Sequence, residues 1–447
     1  MSKANKSYCR VAFDSVTISP TGRMQLCCES QWPGKPQDEP RVEDIKSIEG
    51  WFKGDYMNGV RKAMLAGHRI KECSTCYDKE RLHKKSSRIQ SNEEWLELDV
   101  KKNQEDLDNI KPQYHTRMDS ISELIDRQSE ADRTEHSIKK LDLKLGNKCN
   151  LKCKMCFPFA SSELWKEWKD LGWNSAEKDP NNDTSWKYYD GYFEEDYAWP
   201  KNPQNIEKIK EAALKSKRIH VTGGEPTINP EFFLLLRHCI SEGVAKDITL
   251  SVTTNATKIH PRFFEMAREF KDLRLTISMD GVGKTYEYVR YPANFDKVYN
   301  NIKRYSEFVK TLGKDSRLII NFILQVWNLH NVVDAIKTLA PLSVNADFLS
   351  FKIEEVREPR FMRWGMLSPV EVKKVTKQIA TELRANHDQK VRWPIIALSR
   401  LMNAYKEYKT EDFDTEKMRL REFTEKQDKH RGIDLKDYVP QVQHLFR

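Results

Sequence analysis

From about residue 140 the chain alternates between short β-rich runs and amphipathic stretches. The runs KKLDLKL, RIHVTG, DITLSVTT, LRLTISM, RLIINFIL and DFLSFKI place apolar residues at every second position or in short blocks, as half-buried and buried strands do. Between them, NIEKIKEAALKSK, EFFLLLRHCISEG, PRFFEMAREFK, FDKVYNNIKRYSEFVKTL and VVDAIKTLA carry apolar residues at helical spacing. Six such alternations predict an α/β fold, a parallel sheet with helices outside it, closed fully or partly into a barrel. Ligands of such a barrel sit at the C-terminal ends of its strands. After residue 360 the pattern is helical only, as in PVEVKKVTKQIATELRA and WPIIALSRLMNAYKEY.

The first 140 residues follow a different rhythm. VAFDSVTIS and RMQLCC alternate around Pro20-Thr21-Gly22, which predicts a hairpin with Cys9 at the start of one strand and Cys27 at the end of the other. Residues 41–70 read as helical, with Cys73 and Cys76 in a short loop after them, and residues 86–138 as polar connecting helices. Residues 157–202 interrupt the barrel rhythm with Trp165, Trp168, Trp173, Trp186 and Trp199, either a lid over the site or a small local core. The organisation expected is a cysteine-rich module over 1–90, a helical linker over 91–139, an α/β core over 140–360 and a helical region over 361–447.

Charge changes this picture little. The 76 Lys and Arg are interspersed with 67 Asp and Glu for a net +9, the balance of an ordinary solvated surface, and no nucleic-acid-binding motif accompanies it. No run of 18 or more apolar residues occurs and the N-terminus has no apolar signal core, so the expectation is a cytoplasmic protein without membrane contact.

Cysteines change it more. Seven of the nine, all but Cys9 and Cys239, fall in tight groups, and in a reducing compartment such grouping reads as metal or redox chemistry. Cys149, Cys153 and Cys156 form C-x3-C-x2-C directly after the first barrel strand. Three thiolates on one compact loop hold three irons of a cubane cluster and leave the fourth open to a small molecule, whereas a closed zinc site wants a fourth protein ligand. At the end of the second strand stands Thr222-Gly223-Gly224-Glu225-Pro226, where two glycines allow close approach to the backbone and the glutamate offers an anionic acceptor. Cys239, on a helix, reads as a small buried hydrophobe.

The triad after the first strand with GGE after the second resembles the radical S-adenosylmethionine superfamily, over about residues 140–355. The resemblance implies a partial (β/α)6 barrel whose [4Fe–4S] cluster is held by Cys149, Cys153 and Cys156. It implies that the open iron binds S-adenosylmethionine through its amino and carboxylate groups, with Gly223, Gly224 and Glu225 at the methionyl ammonium. Asn255, Ser278, Asp280 and Arg290, at later strand ends, would contact ribose or carboxylate, shape the substrate pocket, or serve as loop caps and ion pairs. Met155 stands where the superfamily often has an aromatic residue, and its thioether can pack on adenine. The implied reaction is one-electron cleavage of S-adenosylmethionine to a 5′-deoxyadenosyl radical that removes a substrate hydrogen, with electrons from a flavodoxin- or ferredoxin-type donor.

Cys9-x12-Gly22-x4-Cys27 and Cys73-x2-Cys76 resemble the auxiliary-cluster modules called SPASM and twitch domains, although those usually follow the barrel. CSTCYDKERLHKKSSR also resembles twitch-type proteins, phage-encoded ones among them. The resemblance implies a second [4Fe–4S] cluster on Cys9, Cys27, Cys73 and Cys76; a structural zinc on the same thiolates is the alternative. Cys28 should point away from Cys27, since strand neighbours face opposite sides. Such modules are most associated with peptide and protein substrates, with sugars, nucleotides and RNA as other classes. A non-catalytic iron–sulfur, zinc or electron-transfer protein is the competing function.

Overall fold

The computed structural model describes residues 6–34, 38–81, 85–99, 114–173, 195–313, 315–346, 350–356, 358–410 and 412–446. Its eight strands are β1 (Ser15–Ile18), β2 (Met24–Gln25), β3 (Lys140–Lys144), β4 (Arg218–Thr222), β5 (Thr249–Thr254), β6 (Asp272–Ser278), β7 (Arg317–Leu324) and β8 (Phe351–Glu355). They form one mostly parallel sheet in the order β2-β1-β3-β4-β5-β6-β7-β8, and with the helices between them give the expected α/β class. The chain divides into two compact units, residues 1–146, 197–220 and 241–244 in the first, and 147–196, 221–240 and 245–447 in the second.

In the first unit β1 pairs antiparallel with β2 and parallel with β3, Val16 opposite Leu141 and Ile18 opposite Leu143. The hairpin therefore lengthens the run of strands instead of standing apart from it. Its first strand is shorter than its sequence pattern suggests. Val11–Asp14 is a helical turn and the strand begins at Ser15, so Cys9 precedes a helix. The alternation in VAFD is overridden by distant partners: the Arg10 N–H donates to Asn92 Oδ1 at 2.8 Å, and Arg88 and Asn92 both donate to the Tyr8 carbonyl. Residues 41–70 are helical only over Ile48–Phe52 and Asp55–Leu65. Cys73 ends a 3-10 turn and Cys76 lies within the helix Ser74–Arg81, not in a loop.

In the second unit β5 to β8 pair in parallel, with Leu275 opposite Leu318 and Ile320 opposite Phe351. β7 alternates half-buried and buried positions over its whole length, matching the period-2 pattern of RLIINFIL. The helix Phe295–Lys310 buries Val298, Ile302, Tyr305 and Val309 on one stripe and is capped by Asn294 Oδ1 accepting from Lys297 N at 3.1 Å. PRFFEMAREFK stops being helical at Ala267. The C-terminal region holds the helices Pro369–Ala385, Gln389–Asn403 and Phe413–Arg431, the first closed by a Ser368–Glu371 capping box. Among the described residues no helix is long and apolar enough to cross a membrane.

Trp168 and Trp173 meet edge to face at 5.4 Å, and Trp173 stacks on Phe423 of the last long helix at 5.3 Å. In the first unit Trp199 lies 3.1 Å from where a Cβ on Gly22 would be and donates its indole N–H to the Pro20 carbonyl. These three indoles of the aromatic stretch thus build local cores. Trp186 lies outside the described residues.

Candidate functional site

The loop after β3 brings Cys149, Cys153 and Cys156 together as free thiols. Burial pushes the Cys149 thiol up to about 12, with Cys153 adding to the effect. Cys156 is raised first by burial and then by Cys153 and Cys149, so each thiol lies within electrostatic reach of another. Such a group resists ionising until a cation shares it, and soft thiolates of this kind suit iron–sulfur chemistry. Three free thiols on one loop, each in the electrostatic field of another, fit the implied cluster.

The Gly223-Gly224-Glu225 segment leans directly on this loop. Gly224 has φ +59, and a Cβ there would lie 2.3 Å from the Lys148 carbonyl oxygen. The same carbonyl accepts from Glu225 N at 2.8 Å. The close approach that sequence reasoning assigned to a ligand is at Gly224 an approach of the chain's own cysteine loop.

Glu225 is buried, and its carboxylate accepts from four protein donors. Oε1 accepts from Thr227 N, Thr227 Oγ1 and Thr254 Oγ1 at 3.1, 2.7 and 2.6 Å, and Oε2 from Asn255 N at 2.6 Å. Oε2 thus keeps one of its two acceptor positions. Glu225 ties the end of β4 to the end of β5. Asn255 extends the link, donating through Nδ2 to Asn150 Oδ1 at 3.1 Å with Cys149 Sγ at 4.0 Å.

Asp280 and Arg290 form a buried ion pair, Nε to Oδ2 at 2.6 Å, while Asp280 Oδ1 accepts from Ile323 N at 2.7 Å. The pair joins the ends of β6 and β7, the ion-pair alternative for these two residues. Ser278 is half-buried at the end of β6, opposite Asn321. Tyr286 was not singled out by sequence. Its hydroxyl is buried without a hydrogen-bond partner among the described residues, in the electrostatic surroundings of Arg290, Cys153, Asp280 and Glu225. Only the fold could place a tyrosine from a helix interior there.

The first unit gathers Cys9, Cys27, Cys73 and Cys76. Cys9 is raised by burial and by Cys73 and Cys76; Cys73 by burial, Cys27 and Cys76; Cys27 by burial, Cys28, Cys9 and Cys76. Beside them Arg88 is clamped by Glu80, Nε to Oε1 at 2.9 Å and Nη2 to Oε2 at 2.7 Å, both side chains buried. Cys28 is exposed and lies in the field of Asp142 and Lys144, so its environment differs from that of Cys27. Cys239 is a buried free thiol on its helix. Among the described residues no three His, Cys, Asp or Glu side chains converge on a single metal-ion position.

Residues 143–338 match the family model described as the Radical SAM superfamily. Among curated proteins none matches the chain. Among solved structures, Streptococcus suis SuiB bound to precursor peptide SuiA is 14% identical with a TM-score of 0.35, over 71% of this chain and 61% of that one. Native anSMEcpe with bound AdoMet is 18% identical with a TM-score of 0.33, over 56% of this chain and 62% of that one. The chain thus spans about three fifths of the length of these two proteins.

Proposed function

We propose, from the match of residues 143–338 to the Radical SAM family model, that the chain is a radical S-adenosylmethionine enzyme acting by hydrogen abstraction on a peptide or protein in a reducing cytoplasm. The observation that carries the reading is the free-thiol triad Cys149, Cys153 and Cys156 braced by Gly224 and Glu225 through the Lys148 carbonyl. When bound, the cluster supplies an electron that cleaves the carbon–sulfur bond of S-adenosylmethionine, giving methionine and a 5′-deoxyadenosyl radical that takes a substrate hydrogen.

The chain's own residues do the positioning. Cys149, Cys153 and Cys156 would hold three irons. Gly224 lets the end of β4 press on the loop where a side chain would intrude, and Glu225 and Asn255 fix the strand ends around it. The buried Asp280–Arg290 pair holds the ends of β6 and β7 in register, and a low-dielectric surround strengthens each polar contact. Cys9, Cys27, Cys73 and Cys76 would hold a second [4Fe–4S] cluster, with zinc as the competing occupant. The SPASM and twitch likeness supports the peptide class, and a flavodoxin- or ferredoxin-type protein would supply electrons.

The test is anaerobic reconstitution with iron and sulfide, reduction with dithionite, addition of S-adenosylmethionine and detection of 5′-deoxyadenosine. Product that disappears in Cys153→Ala supports the reading, and about eight irons per chain support the second cluster. A full, intact cluster with no product overturns it in favour of a binding or electron-transfer protein.

A further inference from the structure

The structure assigns the C-terminal helix Phe413–Arg431 a part in cluster binding: Asp428 and Arg431 are positioning residues that grip the Cys149–Cys156 loop at two points. This rests on the reading that those three cysteines hold the cluster. The helix lies beyond the matched segment 143–338, so the family match does not cover it.

Lys154 stands between Cys153 and Cys156. A lysine on a loop ordinarily extends into water, and burying its ammonium is unfavourable unless a charge and hydrogen bonds receive it. Lys154 is fully buried. Its Nζ donates to Asp428 Oδ1 at 2.5 Å, and Asp428 Oδ2 accepts from Tyr288 Oη at 2.9 Å. The ammonium also lies 4.3 Å from the Tyr288 ring centroid.

Arg431 sits three residues on, on the same side of the helix. Its Nη2 donates to the Lys152 carbonyl and to Glu167 Oε1, each at 2.7 Å, and its Nε to Glu167 Oε2 at 2.9 Å. Gln427 adds a bond to Glu167 Oε1 at 2.8 Å. One helix therefore holds the loop by the carbonyl of residue 152 and the ammonium of residue 154. Lys152 N and Lys154 N also donate to the carbonyls of Tyr291 and Val289 at 2.7 and 2.8 Å. The backbone between two cluster ligands is thus held by two separate segments of the chain, which a cluster with one open iron needs for a reproducible orientation.

The test compares Asp428→Asn, Arg431→Gln and Tyr288→Phe with Lys426→Ala, which breaks only the exposed Glu422–Lys426 pair on the same helix. Hydrogen–deuterium exchange is read on the cluster-free full chain, and EPR on the reduced, reconstituted chain with and without S-adenosylmethionine. Asp428→Asn and Arg431→Gln should raise exchange over residues 150–156 by at least about tenfold while β5–β7 keep wild-type rates. The same two variants should lose the wild-type EPR shift on adding S-adenosylmethionine, and Lys426→Ala should match wild type. Wild-type loop exchange and an intact EPR shift in both variants would overturn the proposal. Should Asp428→Asn not fold, Tyr288→Phe carries the test, with a rise of about two- to fivefold expected and none overturning it. Cys153→Ala separates the premise: a wild-type EPR signal there sinks the cluster assignment itself, whatever the exchange data show.

Discussion

Gly224→Ala probes the brace between the GGE segment and the cysteine loop. A Cβ at this position falls 2.3 Å from the Lys148 carbonyl oxygen, about 1 Å inside ordinary contact. The left-handed backbone, φ +59, costs an alanine about 1–2 kcal/mol by itself. If the loop backs away to relieve the overlap, it breaks the 2.8 Å bond from Glu225 N to Lys148 O and leaves a buried donor, a further ~1–3 kcal/mol. The expected total is about 2–5 kcal/mol. Gly243→Ala is the internal control, because Gly243 has φ +69 but nothing within 4 Å of its would-be Cβ, so it should lose only the first part. Denaturant unfolding of both variants, with iron counted per chain after reconstitution, gives the comparison. Gly224→Ala should be the less stable by about 1–3 kcal/mol and retain less iron at the triad. Equal losses in the two variants with full iron in both would refute the brace.

Three further outcomes follow from the same geometry. Cys9→Ser and Cys76→Ser should each lower iron from about eight to about four per chain while 5′-deoxyadenosine is still formed; zinc found by elemental analysis at wild-type level and lost in these variants would replace the second-cluster assignment. Glu80→Gln removes one side of the buried pair with Arg88 and should cost about 3–5 kcal/mol in denaturant unfolding; a loss under about 1 kcal/mol would show the pair to be solvated. Burial pushes Glu167 up, but the hydrogen bonds and charge of Arg431, with Gln427, outweigh it and hold the carboxyl below its ordinary value. Its stabilisation is therefore complete above the unfolded value of about 4.3 and lost as pH falls through the lower folded value. Glu167→Gln should flatten that part of the acid-unfolding curve, and an unchanged curve would contradict the assignment.

The sequence determined by itself the features that depend on neighbouring residues. The alternation in RLIINFIL became β7, the helical stripe of FDKVYNNIKRYSEFVK became Phe295–Lys310, and C-x3-C-x2-C placed three thiols on one loop because a seven-residue reach is set by chain geometry. The convergence of Cys9, Cys27, Cys73 and Cys76 was legible only through likeness to known modules, since spacing across 67 residues fixes no distance.

What tertiary structure decided was which polar groups are buried and against whom. VAFD runs into the strand in sequence but forms a helical turn, and the Arg10 amide just before it donates to Asn92, 82 residues away. In sequence Glu225 is an anionic acceptor, and only the fold shows that Thr227, Thr254 and Asn255 donate to it. Asp428 and Arg431 lie in a region whose sequence shows only a helical pattern, yet they reach back 274 and 279 residues to Lys154 and Lys152. Local pattern governs backbone conformation through short-range sterics and periodic burial. The pairing of buried charges depends on desolvation, and only the folded chain shows which distant partner offsets it.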